Sequence, residues 1–321
     1  MKWPRSGVRD QFMSTEKPLL AVKDLVTRFD IRSGIFRRVS HRVHAVEKAT
    51  FEIGPGETLA LVGESGSGKS TIGRSILQLD MPRSGSVRFE GQELLGLSHN
   101  ELRAFRKNAQ IIFQDPFGSL DPRMTVGRII AEPMIIHGEA EKEEIRARVL
   151  GLLERVDLGA EHLSRYPHAF SGGQRQRICI ARALSLNPSL IIADESVAAL
   201  DVTIQAQVIN LLMDLQAEEN ISFLFISHDM AVVERIAHRV AVMYAGEIVE
   251  IGHRRAVFSS PQHSYTKKLL ASVPVADPRQ RRRDRAINTD EIPSVIHPIS
   301  FKPVHLPFRQ VKDNHFVREE L

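Results

Sequence analysis

The chain has 321 residues, of which 42% are hydrophobic and 26% are charged, and this composition is typical of a soluble globular protein. It excludes a fully disordered chain, a collagen and a small disulfide-rich scaffold. The formal net charge of +4 is small and spread along the chain, so it indicates no nucleic-acid partner. A single cysteine excludes an internal disulfide and a thiolate metal cluster. No apolar run reaches the roughly 18–20 residues that a membrane-spanning helix needs.

Apolar runs and turn residues predict strands and helices that alternate along most of the sequence. The first predicted strand is Leu19–Val26, and a polar, basic stretch follows at Arg32–Arg42. Further strands are predicted at Val43–Ile53, Thr58–Val62, Ser84–Gly91, Gln110–Phe113, Leu190–Ala193 and Phe223–Ile226. Helices are predicted at Ser70–Leu79, Glu143–Val156, Gly172–Leu186, Val202–Gln216 and Met230–Ala237. This order indicates an α/β fold with a largely parallel core sheet.

Changes in composition divide the chain into three parts. Residues 1–18 have no periodicity and predict a flexible leader, and residues 19–274 form the predicted core. Within the core, helical spacing predicts a helical subdomain at about 115–186. Recurring prolines predict an extension over residues 275–321. The basic run Arg279–Arg285 predicts a solvated linker, with a contact to anionic lipid or to a partner as the alternative.

A glycine-rich segment follows the predicted strand Thr58–Val62 and begins the next helix. Its sequence, Gly63-Glu64-Ser65-Gly66-Ser67-Gly68-Lys69-Ser70, fits the pattern G-x-x-x-x-G-K-[ST]. Small residues let backbone N–H groups surround phosphate oxygens, and the helix N-terminus adds the positive end of its dipole. Lys69 is placed to reach the β- and γ-phosphates, and Ser70 is placed to bind Mg²⁺. The segment therefore predicts a phosphate-binding loop.

Two carboxylates follow a second apolar strand. The strand Leu190–Ala193 leads into Asp194 and Glu195, and ligands of an open α/β sheet gather at the carboxyl ends of its strands. We expect Asp194 to hold Mg²⁺, directly or through water, and Glu195 to act as the general base on an attacking water. Alone, such a pair is as often the start of a loop as a functional site, but beside a phosphate-binding loop it predicts a catalytic role.

Further segments complete a resemblance to the ATP-binding cassette (ABC) proteins. Phe170-Ser171-Gly172-Gly173-Gln174-Arg175-Gln176-Arg177 resembles the signature motif of that family. Gln114 matches its glutamine loop, Asp201 its D-loop and His228 its switch histidine. All these motifs occur in the family's order, between about Leu19 and Pro278. The resemblance implies a P-loop cassette with an N-terminal antiparallel β region, a mainly parallel core sheet, a helical subdomain and a C-terminal extension.

The subfamily is indicated by three longer segments. Phe113–Pro122, Tyr166–Phe170 and Gln262–Leu270 resemble the oligopeptide and dipeptide importers, with Ser264 where a proline is usual. Val26–Phe29 and Val43–Lys48 are most similar to the C-terminal cassette of the two-cassette glutathione importers, as is the end of the chain. Many relatives carry a cysteine-rich tail that resembles an iron–sulfur site. This tail has no cysteine, so we expect no cluster.

The resemblance assigns a role to each candidate residue. Phe29 is expected to stack on adenine. The cofactor ATP is expected to contact Gly63, Glu64, Ser65, Gly66, Ser67, Gly68, Lys69, Ser70 and Thr71. Ser171, Gly172 and Gly173 are expected to close over ATP on an opposite cassette, and Gln174 and Asp201 are further expected cofactor-binding residues. The expected Mg²⁺ ligands are Ser70, Gln114 and Asp194, and the expected catalytic residues are Glu195, His228 and Gln114. Ser196 replaces a proline that is common in relatives, and we expect no loss of catalysis from it.

The function implied by the resemblance is that of the ATP-hydrolysing subunit of an importer for di- and oligopeptides, with glutathione among the solutes. Its expected partners are two permeases, a second cassette that is a paralogue, and an extracytoplasmic solute-binding protein. The chain would then lie on the cytoplasmic face of the inner membrane. One alternative is a related importer for nickel or another small solute. Another is a soluble cassette ATPase of DNA repair or translation, but such proteins usually carry two cassettes or a long coiled coil.

Overall fold

The computed structural model describes residues 17–33, 38–139, 141–272, 294–312 and 314–320. Residues 1–16 of the predicted leader and the basic run at 279–285 lie outside them. The strands, in chain order, are β1 (Leu20–Ser33), β2 (Arg38–Ile53), β3 (Thr58–Val62), β4 (Ser84–Phe89), β5 (Gln92–Glu93), β6 (Ala109–Ile112), β7 (Leu190–Asp194), β8 (Ser222–Ser227), β9 (Arg239–Tyr244), β10 (Glu247–His253), β11 (Ile296–Pro298), β12 (Phe308–Lys312) and β13 (His315–Arg318). The helices are α1 (Lys69–Ile76), α2 (His99–Asn108), α3 (Val126–His137), α4 (Lys142–Arg155), α5 (Gly172–Leu184), α6 (Val202–Glu219), α7 (Met230–Ile236), α8 (Arg254–Ser259) and α9 (Ser264–Ala271).

The larger sheet has the strand order β12-β13-β10-β9-β3-β8-β7-β6. Its five strands from β9 to β6 are parallel, and β3, β7 and β8 are buried along their whole length. Such strands have apolar residues on both faces, which explains why the sequence shows them as continuous apolar runs. The predicted α/β fold with a mainly parallel core sheet is confirmed. The carboxyl ends of β3, β7 and β8 meet at one edge of the larger sheet. The segment Gly63–Ser70, the pair Asp194 and Glu195, and His228 lie at these strand ends.

The smaller sheet is antiparallel, with the strand order β11-β2-β1-β4-β5. Strands β1 and β2 form a long hairpin in which Phe29 is paired with Val43. The described parts of the polar stretch, residues 32–33 and 38–42, belong to these two strands, so the predicted strands Leu19–Val26 and Val43–Ile53 are too short. Backbone pairing holds these residues in strands despite their weak alternation, and Asp30 adds an ion pair to Arg42 across the hairpin at 2.8 Å.

The C-terminal extension adds strands to both sheets. Strand β11 pairs with β2 at the edge of the smaller sheet, while β13 pairs with β10 and β12 with β13 in the larger one. The prolines of the extension do not prevent this, because a strand at a sheet edge tolerates proline and β11, which ends at Pro298, is such a strand. The sequence pattern did not predict these strands, nor did it predict helix α2 or the antiparallel hairpin of β9 and β10.

Helices α3, α4 and α5 form a layer that packs through buried apolar side chains, including Met134, Leu153 and Ile178. Helix α5 ends at Leu184 and α1 at Ile76, so both are shorter than predicted. Over the described ranges, no helix combines the length and the hydropathy that crossing a membrane requires.

Candidate functional site

The phosphate loop, Gly63–Ser70, joins β3 to α1. Gly63 and Gly68 have φ values of 152° and 104°, a region that glycine adopts without strain. A Cβ atom on Gly68 would overlap the carbonyl oxygen of Ala45, and one on Gly63 would overlap that of Met243. The loop therefore packs closely against β2 and β9, and larger residues at these two glycines would displace it.

Two buried polar side chains of the loop fit an anionic ligand. The Ser67 hydroxyl is buried, and among the described residues it has no hydrogen-bond partner. The Lys69 ammonium donates to the carbonyl oxygens of Gly63 at 2.9 Å and Glu64 at 2.8 Å. Burial lowers the pKa of Lys69, and neighbouring carboxylates, Glu195 first, partly offset this. A polyphosphate would supply acceptors to both side chains.

Ser70 and Asp194 join the phosphate loop to the end of β7. Ser70 Oγ donates to Asp194 Oδ1 at 2.8 Å. Burial raises the pKa of Asp194, and the hydrogen bond from Ser70 partly offsets it. These oxygens suit Mg²⁺, which typically takes one or two carboxylates together with substrate phosphates and water. Within the described part of the chain, no group of three or more His, Cys, Asp or Glu residues could hold a metal ion, so phosphate oxygens would have to complete the coordination.

Glu195 lies at the centre of the predicted catalytic residues. Its Oε2 accepts a hydrogen bond from Gln114 Nε2 at 2.7 Å, and its Oε1 lies 3.5 Å from His228 Nδ1 and 4.0 Å from Lys69 Nζ. The backbone of Glu195 has a φ of 44° and its N–H donates to the Ile226 carbonyl at 2.9 Å. A positive φ is strained for a residue other than glycine. The fold holds this carboxylate in one place between the glutamine, the histidine and the lysine.

The signature and D-loop residues form a separate group at the start of α5 and α6. Ser171 caps α5, since its hydroxyl accepts from the Gln174 N–H at 3.3 Å. Asp201 caps α6 by accepting from the Ile204 N–H at 3.0 Å, and Gly173 lies against the Ile204 side chain. No hydrogen bond or ion pair within the described ranges joins this group to the phosphate loop. These hydrogen bonds of Ser171 and Asp201 are thus within their own helix starts and not with the phosphate loop.

Phe29 lies on β1 and its side chain is 40% exposed. It is paired with Val43 of β2, and Ala45, two residues further along β2, contacts the phosphate loop at Gly68. The exposed ring thus lies on the strand next to β2, and β2 contacts the phosphate loop two residues beyond the partner of Phe29. Thr71 follows the loop in the first turn of α1.

The sequence analysis missed Tyr265, whose side chain contacts the phosphate loop. The Glu64 N–H donates to the hydroxyl of Tyr265, a residue of α9, at 2.9 Å. Burial raises the pKa of Tyr265 to about 12, so the hydroxyl stays protonated at neutral pH. In the sequence, the segment Gln262–Leu270 indicates the subfamily but no contact with the phosphate loop. No local pattern connects residues that are 201 positions apart in the sequence.

Comparison with known families and proteins gives consistent results. The ABC transporter family matches residues 46–198, and the C-terminal region of the oligopeptide/dipeptide transporters matches residues 249–297. A glutathione import ATP-binding protein, GsiA, of Pectobacterium atrosepticum is 57% identical over 96% of this chain and 50% of its own length. GsiA of Escherichia coli K12 is 58% identical over 94% of this chain and 49% of its own length. The chain spans about half the length of the curated relatives it matches.

Solved structures of cassettes have the same fold. CbiO1 from Clostridium perfringens, part of the transporter complex cbiONQ, superposes with a TM-score of 0.65 at 27% identity, covering 76% of this chain and 92% of that one. The dimeric cassette MJ0796, bound to ADP and Pi in a post-hydrolysis state, gives 0.65 at 29% identity, covering 74% and 99%. Residues 46–198 therefore belong to the ABC transporter family, and residues 249–297 match the C-terminal region of the oligopeptide/dipeptide transporters.

Proposed function

We propose that this chain is the ATP-hydrolysing subunit of an ABC importer that takes up peptides, with glutathione among them. The observation that carries the proposal is the convergence of Gln114, His228 and Lys69 on the carboxylate of Glu195. A carboxylate held beside a phosphate-binding lysine is suited to hydrolysis of a phosphoanhydride.

ATP binding would begin at the phosphate loop. Lys69 exchanges its two backbone carbonyl acceptors for the β- and γ-phosphates, and the Ser67 hydroxyl gains the partner that it lacks among the described residues. Ser70 and Asp194 would hold Mg²⁺, which supplies neutralisation of the phosphate charge when it is bound. Phe29 would stack on the adenine from the edge of β1.

Hydrolysis would use the group around Glu195. The Glu195 carboxylate takes a proton from a water molecule whose oxygen attacks the γ-phosphorus. The bond between that phosphorus and the bridging oxygen breaks, and ADP and phosphate leave. Gln114 fixes the carboxylate through its 2.7 Å hydrogen bond, and His228, whose side chain is 53% exposed, is free to approach the γ-phosphate.

A second cassette is needed to complete the site. Because Ser171, Gly173 and Asp201 form a group separate from the phosphate loop of their own chain, we infer that they act on ATP held by an opposite cassette, together with Gly172 and Gln174. The MJ0796 cassette was solved as a dimer, which supports this arrangement. Closure around ATP and reopening after hydrolysis would then transmit binding energy to the membrane partners.

The solute and the membrane partners are inferred from the relatives, which are named glutathione import ATP-binding proteins. We propose two permeases and an extracytoplasmic solute-binding protein as partners, and a peripheral location on the cytoplasmic face of the inner membrane. The C-terminal family match supports peptides as the solute class.

Uptake by the reconstituted transporter tests this proposal. The chain is expressed together with candidate permease and binding-protein genes from the same genome in a strain that lacks glutathione and peptide uptake. Labelled glutathione, di- and oligopeptides and Ni²⁺ are then supplied separately. We expect ATP-dependent uptake of glutathione or peptides, which Glu195→Gln abolishes. Uptake of Ni²⁺ alone would overturn the peptide assignment. Absence of any ATP hydrolysis by the complex would overturn the enzymatic one.

A further inference from the structure

The first turn of α9 contacts the phosphate loop through a single side chain. The Tyr265 hydroxyl accepts the Glu64 N–H at 2.9 Å, while the carbonyl oxygen of the same Glu64 accepts from Lys69 Nζ at 2.8 Å and from the Ser67 N–H at 3.2 Å. The backbone of Glu64 is thus held on both sides, at its N–H and at its carbonyl oxygen. Tyr265 supplies the one hydrogen bond of this set that comes from outside the loop.

The position of Tyr265 is itself fixed by buried contacts. Its ring is 6% exposed, and the ring of Tyr244 lies against it with the centroids 4.2 Å apart. The His263 side chain caps α9 by accepting from the Tyr265 N–H at 3.1 Å. The hydroxyl therefore has little freedom to leave the loop, because both its ring and its backbone are held.

A buried carboxylate connects this helix turn to the C-terminal extension. Glu250 of β10 is fully buried and accepts from the backbone N–H groups of Gln262 and His263, both at 2.9 Å. It also accepts from His315 Nε2 of β13 at 2.8 Å. Burial acts to raise the pKa of Glu250, but the hydrogen bonds, that of His315 first, outweigh it and lower the pKa. The carboxylate is therefore ionised and holds α9 and the extension together.

We propose that Tyr265 is a positioning residue of the phosphate loop, and that the C-terminal extension supports it through His315 and Glu250. The proposal rests on the proposed nucleotide-binding function and extends it to residues outside the phosphate loop. The hydroxyl sets the Glu64 peptide so that the N–H groups after it face the phosphates. Loss of that hydrogen bond lets the loop sample other conformations, and the binding-competent fraction falls.

Tyr265→Phe is the sharpest variant, because it removes the hydroxyl and leaves the packed ring. A neutral hydrogen bond typically contributes enough to change an equilibrium about fivefold, so we expect MgADP and MgATP to bind about fivefold more weakly. Amide hydrogen exchange in the phosphate loop should become faster, while the melting temperature without nucleotide stays close to that of the unsubstituted protein. Tyr166→Phe is the matched control, since Tyr166 is an exposed tyrosine that stacks on His168.

His315 variants test the support from the extension. His315→Ala should weaken MgADP binding about two- to fivefold. His315→Gln, whose amide can donate to Glu250 in place of the ring nitrogen, should restore most of the affinity. If both His315 variants only destabilise the fold, their melting temperatures fall while the MgADP affinity of the folded fraction stays unchanged. This result would overturn the proposed role of the extension.

The outcomes for the two proposals are distinct. Equal nucleotide affinities and equal loop exchange rates in Tyr265→Phe and the unsubstituted protein would overturn the positioning role alone. If the unsubstituted protein bound neither MgADP nor MgATP, the proposed function would fail and this inference with it.

Discussion

The substitution Glu195→Gln tests the centre of the site most directly. It replaces one carboxylate oxygen by an amide NH₂ and keeps the length of the side chain. The remaining amide oxygen can still accept from Gln114 Nε2, which lies 2.7 Å from the present carboxylate. The strained backbone at φ 44° and the hydrogen bond to Ile226 do not involve the side chain. The variant therefore removes basicity while preserving the geometry.

The expected magnitude follows from that single loss. A positioned general base contributes about 10²- to 10⁴-fold to a reaction rate, which equals about 2.7–5.5 kcal/mol at 1.36 kcal/mol for each factor of ten. ATP affinity should not fall, because Lys69 loses only an anionic neighbour 4.0 Å away that competes with phosphate for its charge. We expect kcat for phosphate release to fall by this factor, with an unchanged or lower KM for ATP.

The assay measures phosphate release from the assembled transporter over a range of ATP concentrations, with nucleotide affinity measured in parallel on the isolated chain. Glu154→Gln, an exposed glutamate of α4, is the matched control and should behave like the unsubstituted protein. A kcat within tenfold of that protein would refute the general-base assignment. A loss of ATP binding would instead show that Glu195 has a structural role.

Three further substitutions test other parts of the site. Lys69→Ala removes a charged donor that typically contributes about 1.5–3 kcal/mol, so a nucleotide titration should show affinity about 10- to 100-fold weaker, and unchanged affinity would contradict the phosphate-loop assignment. Burial raises the pKa of Asp194 above its ordinary 3.8, so its contribution to stability is present at low pH and is lost as the pH rises through the folded-state value. Asp194→Asn should therefore raise the melting temperature of the nucleotide-free protein at pH 7, by roughly 2 °C for each 1 kcal/mol gained, and should abolish turnover; a lower melting temperature would show that the ionised carboxylate stabilises the fold. In a transporter with two cassettes, Ser171→Arg should reduce turnover of ATP on the opposite cassette while nucleotide affinity at its own site is kept. Unaltered turnover, measured with tagged cassettes of which only one carries the change, would argue against a shared site.

The sequence determined the parts of the protein that local chemistry specifies. A buried strand followed by Gly63–Ser70 and a helix predicts a phosphate-binding loop, because the glycines permit the backbone conformation in which N–H groups surround phosphate oxygens. Asp194 and Glu195 could be placed at the same sheet edge because both follow a buried parallel strand. These elements depend on neighbouring residues. The structure has the strands Thr58–Val62 and Leu190–Asp194 and the helix Lys69–Ile76 there, and their bounds differ from the predicted ones by three residues at most.

Only the tertiary structure decided which side chains meet across long stretches of sequence. Gln114 reaches Glu195 over 81 positions, and Tyr265 reaches Glu64 over 201. The strands of the proline-containing extension were likewise not predictable, since each is short and is held by pairing with β2, β10 or another strand of the extension rather than by its own pattern. Local propensity is weak in such segments, and the hydrogen bonds and buried contacts supplied by distant strands determine their conformation.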